Sequence, residues 1–111
     1  MFHMTMAYRF MRLIVFFDLP SVSKIDLKNY TRFRKFLIKE GFVMMQESVY
    51  VKLLLNGTMA NLMVERLKKN IPSKGLIQTM LITEKQFCNI DFLIGNKKSI
   101  IEDSDERLVT F

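Results

Sequence analysis

The chain is expected to fold as an α+β protein of ferredoxin-like β-α-β-β-α-β order, carrying an extra C-terminal strand and pairing as a homodimer. Three observations carry this reading. Short β-branched and aromatic runs alternate with two longer stretches of helical period. No Pro/Gly-rich linker, internal repeat or low-complexity tract interrupts them. The strands are apolar on both alternating faces, and two helices can cover only one face of a single sheet.

The elements follow in order. "RLIVFF" (Arg12–Phe17) is a buried strand ending at Asp18 and Pro20. Ser23 then caps a helix, and Asp26 three residues on completes a capping-box-like pair. That helix runs to about Glu40, where Gly41 is a natural stop. "FVMMQ" and "SVYVKLLL" read as the next two strands. "NGT" breaks the chain, and Met59, Leu62, Met63 and Leu67 mark one face of a second helix, which "IPSKG" ends. "LIQTMLI" is a fourth strand, "DFLIG" a short fifth, and "ERLVTF" an extended closing edge. The ferredoxin-like domain is placed at residues 1–98, with 1–10 frayed. Residues 99–111 form a tail for partner or dimer docking.

Length favours one domain, and ten Phe among 111 residues supply a core. A chain this short buries only about two-thirds of its unfolded surface, so a second copy would help it. That copy is the economical cover for the second sheet face, stacked as a symmetric dimer. Loops and the tail are the alternative cover.

Charge is lopsided. The net is +6, yet four of the 11 acids crowd residues 102–106, leaving 16 bases against 7 acids in residues 1–101. A basic body points to a polyanionic partner, nucleic acid before membrane. The single Cys88 excludes an internal disulfide and fits a reducing, cytoplasmic setting. No stretch reaches transmembrane length, and Leu13–Phe17 is too short for an export signal.

The cations have a pattern. On a helical wheel Tyr30, Phe33 and Leu37 take the core side of the first helix. Lys28, Arg32, Lys35 and Lys39 fall together on the opposite side, with Lys24 beside them. Solvated helix faces usually mix signs, because opposite charges at i,i+4 stabilise and like charges repel. A one-sign line about 16 Å long suits several phosphates of a duplex backbone. Such contacts position a backbone and read no sequence. A plain Lys-rich solvated face is the bland alternative. Lys68, Lys69 and Lys74 would extend the patch if they lay on the same side.

Catalysis has few candidates. Asp18 alone among the early carboxylates lies at a strand end. "DLPS" is good turn chemistry, which accounts for it without catalysis. One carboxylate is a poor magnesium site, although two copies facing across a two-fold axis could share one ion. There is no Gly-rich phosphate loop, Ser-His-Asp set or Cys-His pair.

"FFDLP" after the first strand, "YTRFRKFLIKEGF" on the first helix, "QESVY" opening the third strand, "ITEKQF" after the fourth and the closing "DERLVTF" together resemble the small subunit of the CRISPR adaptation complex. The likeness is strongest to the version from systems with a single large effector nuclease, and it spans roughly Met6 to Phe111. It implies a ferredoxin-like homodimer that bridges dimers of the CRISPR integrase and holds a short double-stranded DNA for insertion as a spacer. It also implies a metal-dependent endonuclease in which Asp18 holds Mg2+, and a C-terminal strand, here Arg107, Leu108, Val109 and Phe111, that docks the integrase. Glu47 departs from the family, where the position is often aromatic. A DNA-binding scaffold is therefore the first expectation. A Mg-dependent RNA or DNA endonuclease is the alternative, and a toxin-like ribonuclease or regulator of the same fold is a third.

Overall fold

A computed structural model describes residues 10–95. The expectations placed on residues 1–9 and 96–111 lie outside the described residues. Among these are the closing edge and the docking residues Arg107, Leu108, Val109 and Phe111.

Seven elements follow in order: β1 (Met11–Asp18), α1 (Lys24–Lys39), β2 (Val43–Gln46), β3 (Val49–Leu54), α2 (Gly57–Lys68), β4 (Leu76–Thr83) and α3 (Glu84–Cys88). The sheet order is β2-β3-β1-β4, and every pairing is antiparallel. This is the expected ferredoxin-like arrangement, with both long helices crossing between strands.

Local chemistry sets the helix ends. Ser23 Oγ accepts from the Asp26 amide, and the Asp26 carboxylate accepts from the Ser23 amide. At the other end Gly41 takes φ +94°, the left-handed conformation that closes a helix. Asn56 caps α2 through the Met59 amide.

Strand alternation sends Leu13, Val15 and Phe17 to one face of the sheet, where Phe33 and Leu37 of α1 and Ala60, Met63 and Leu67 of α2 bury them. The Phe17 ring is the centre of this layer. It meets Phe33 edge-on at 5.2 Å and stacks on Tyr50 at 5.7 Å. The buried Tyr50 keeps its hydroxyl satisfied by accepting from Arg34 Nε at 2.9 Å.

The buried row of α2 differs from the expected one. Met63 and Leu67 are buried as expected, but Met59 and Leu62 stand in solvent at 44% and 57% exposure. Ala60 takes the inner position, since a small side chain lets the helix lie close to the sheet. Counting bulky residues favours the wrong side.

The second face is handled differently. Ile14 and Val51 are buried there under Phe87, with Phe16, Val43, Met45, Val49, Ile82 and Ile90 packed around them. Phe87 comes from α3, which has no counterpart among the expected elements. Thr83 and Gln86 form a reciprocal cap at its start. The expected fifth strand at 91–95 is not formed. Leu93 and Ile94 are almost fully exposed, and β4 takes its ladder from β1 alone among the described residues. A short apolar run without a pairing edge does not become a strand.

Arg12 also lies on this face and is only 7% exposed. Its guanidinium donates to both carboxylate oxygens of Glu84, at 2.7 and 3.0 Å, and sits 4.3 Å above the Phe87 ring. A buried charge is tolerated when it is paired and hydrogen-bonded in this way. The pair locks α3 over the Arg12 end of the face. Toward the Asp18 end the cover stops among the described residues, and Met80 and Leu76 of β4 are 48% and 55% exposed.

Removing one partner of this pair would strand the other. Glu84→Ala is expected to cost about 3–5 kcal/mol in urea denaturation. Replacing the pair together, as Arg12→Met with Glu84→Leu, is expected to recover most of that loss. A double variant as unstable as Glu84→Ala would mean that the pair does not act as a unit.

Candidate nucleic-acid interface

α1 displays the expected stripe. Lys24, Lys28, Arg32, Lys35 and Lys39 are all exposed. Lys24, Lys28, Arg32 and Lys35 line one open groove along the helix, together with Leu27 and Thr31. Lys39 stands in the last turn, where a cation also complements the helix dipole. The ion pairs among the described residues join Arg12 to Glu84, Arg66 to Glu40 and Lys68 to Glu65, and none takes a cation of the stripe. Among the described residues, no carboxylate takes up these five charges.

Two further cations are now located. Lys69 lines a recess with Arg32, so it lies on the stripe's side of the molecule. Lys68 instead pairs with Glu65. Arg34 is on α1 but serves the core: its bond to the Tyr50 hydroxyl, with the charge of Glu47 assisting, holds its pKa above the ordinary arginine value.

The carboxylates sort by elimination. Asp26 is a cap, Glu40, Glu65 and Glu84 are paired with bases, and Asp91 is exposed in the segment after α3. Glu47 lies in the β2–β3 turn, and its charge acts on Arg34. Asp18 is exposed at the end of β1, opposite Leu76. No ion pair among the described residues engages its carboxylate. The described residues contain no group of three or more His, Cys, Asp or Glu that could hold a metal ion. One chain thus offers Mg2+ a single carboxylate, which fits that ion only if further oxygen ligands come from water, substrate or a second copy.

The turn after Asp18 is held tightly. Gly75 has φ +104°, and a Cβ there would lie 2.8 Å from the Asp18 carbonyl oxygen and 2.6 Å from Leu19 Cδ2. Only glycine fits both the backbone conformation and the approach. The sequence shows the glycine in "IPSKG" but not what it packs against.

Asp18 and the stripe do not form one site within a chain. α1 packs on the face of Leu13, Val15 and Phe17 and turns its cations away from the sheet. Alternation sends Asp18 to the other face, with Ile14 and Phe16.

A small ferredoxin-like α+β protein with a cationic helix face unpaired among the described residues is the class that this geometry defines. Comparison with known proteins makes it specific. The family model "CRISPR associated protein Cas2" matches residues 11–90. A relative from Treponema denticola, named CRISPR-associated endoribonuclease Cas2, is 48% identical over 99 residues, covering 89% of this chain and 98% of the relative. One from Streptococcus mutans with the same name is 48% identical over 99 residues, covering 89% of this chain and 91% of the relative. A solved structure described as a crystal structure of Cas2 superposes with a TM-score of 0.55 at 23% identity, covering 81% of this chain and 92% of the other, a likeness of fold. The chain belongs to the Cas2 family, the small CRISPR-associated adaptation subunit. No helix among the described residues is long and apolar enough to cross a membrane.

Proposed function

We propose that this chain is a DNA-binding scaffold of the CRISPR spacer-integration complex, bridging integrase dimers and holding the duplex to be inserted. The observation that carries the reading is the stripe: five exposed cations on one helix, none paired with a carboxylate among the described residues. A line of fixed positive charge follows a duplex by shape and phosphate position, which is what holding any incoming sequence requires.

A homodimer completes the scaffold. The open end of the second face, with Phe16, Met80 and Leu76, is the surface a second copy would cover. The acidic tail and then Arg107, Leu108, Val109 and Phe111 would dock the integrase, whose basic surface the acids would complement. The setting is cytoplasmic.

The name of the relatives favours a second reading, a metal-dependent endonuclease. Asp18 would then hold Mg2+ with the same residue of a second copy, and the ion would supply charge stabilisation for phosphodiester cleavage. The protein's own part is to present that carboxylate at the border of the apolar face, on a backbone that the Gly75 turn approaches closely.

Replacing Lys28, Arg32, Lys35 and Lys39 together by Ala is expected to weaken duplex binding and to flatten the log–log salt slope by roughly one for each phosphate that is no longer neutralised. Titrations across a salt series read this directly, and an unchanged slope would eliminate the stripe. For the second reading, Asp18→Asn is expected to abolish magnesium-dependent cleavage of RNA or DNA while the dimer stays intact. Cleavage that survives the change would place the activity elsewhere.

A further inference from the structure

The groove along α1 does not end in flat surface. Asn29, Arg32 and Phe36 are spaced so that they share one side of α1. They face Lys69, Asn70 and Ile71, which follow the last turn of α2, across a recess of about 190 Å³. Its lining contains no carboxylate. Arg32 lines both the groove and the recess, so the two are continuous.

The contents of this recess differ from those of the groove. The groove offers cations for phosphates. The recess adds an aromatic ring, an aliphatic wall and two carboxamides. An aromatic and an aliphatic surface together receive the flat face of a base, and a carboxamide carries both a donor and an acceptor for a base edge. Asn70 is held in place, since one of its amide hydrogens already goes to the Arg66 carbonyl at 2.8 Å. Arg32 and Lys69 supply charge for the phosphates on either side of such a base. At about 190 Å³ the recess is smaller than the roughly 300–1,000 Å³ of pockets for drug-sized ligands, a size compatible with a single ring system.

A base inside a duplex cannot enter, because its edges and faces are already taken. We propose that the recess binds one unpaired nucleotide, as found in a single-strand tail beside a duplex or in a single strand. This deepens the nucleic-acid reading and rests on it: the stripe holds a backbone by charge, and the recess senses where pairing stops. The sugar can be that of DNA or RNA, since the recess recognises base and phosphate.

The test uses the full chain and four labelled probes of equal length at one salt concentration: a blunt DNA duplex, the same duplex with a single-strand tail, single-stranded DNA and single-stranded RNA. Asn29→Leu removes one carboxamide and partly fills the recess. Ile71→Ala strips the aliphatic wall at an exposed position, and thermal melts confirm that both variants fold. Each is expected to weaken binding of the tailed duplex, and of whichever single strand binds, about tenfold, a typical effect of removing one base-stacking partner. The blunt duplex should be unaffected. Lys28→Ala with Lys35→Ala should weaken every probe. Equal binding of tailed and blunt duplex by the wild type, or equal losses on both in the recess variants, would overturn the proposal. If the lysine pair has no effect while the recess variants discriminate as expected, the stripe fails and the recess stands. If no probe binds at all, both fall. Comparison of the two single strands assigns the sugar.

Discussion

A four-stranded sheet with two apolar faces, and only two long helices to cover them, is the constraint on which the rest of the molecule depends. α1 and α2 close one face over Phe17, and the rings of Phe33 and Tyr50 pack against it. The other face has to be closed by other means. α3 does part of this with Phe87, and Arg12 is accommodated there because Glu84 and the Phe87 ring meet its charge. Among the described residues the cover runs out toward Asp18, where Met80 and Leu76 remain open. The same imbalance therefore leaves a surface suited to a second copy and sets the strand-end carboxylate of Asp18 at its margin.

The two layers also divide the labour. Packing α1 through Phe33 and Leu37 turns Lys28, Arg32 and Lys35 outward into one groove. No carboxylate among the described residues pairs with them, so their mutual repulsion is not offset there. Asp18 alternates to the opposite layer. Within one chain, the cationic groove and Asp18 therefore lie on different layers. The proposed scaffold role rests on shape and charge, and a Mg2+ ion at Asp18 would need further oxygen ligands from water, substrate or a second copy.

How much of the molecule is legible in its sequence follows from the range of each interaction. The Ser23–Asp26 cap, the Gly41 stop, the alternation of β1 and the stripe on α1 are local patterns, and the structure carries all four. The Thr83–Gln86 cap is just as local, yet the apolar residues of "DFLIG" outweigh it in a hydrophobic reading and suggest a strand that has no ladder to join. The inner row of α2 turns on Ala60, a residue that weighs little in any hydrophobic count. The Arg12–Glu84 pair spans 72 positions, and the recess joins α1 to the end of α2. Neither has a signature in spacing, because only the fold brings its parts together.

The most direct test of the central claim is an integration assay. This protein, a CRISPR integrase from the same source, a short duplex and a repeat-containing plasmid would be combined with magnesium, with wild type, Asp18→Asn and no small subunit compared. The account predicts that wild type and Asp18→Asn both integrate, and that omission of the protein abolishes integration. An Asp18→Asn protein that assembles with the integrase but does not support integration would contradict it, and would make the chemistry of that carboxylate central.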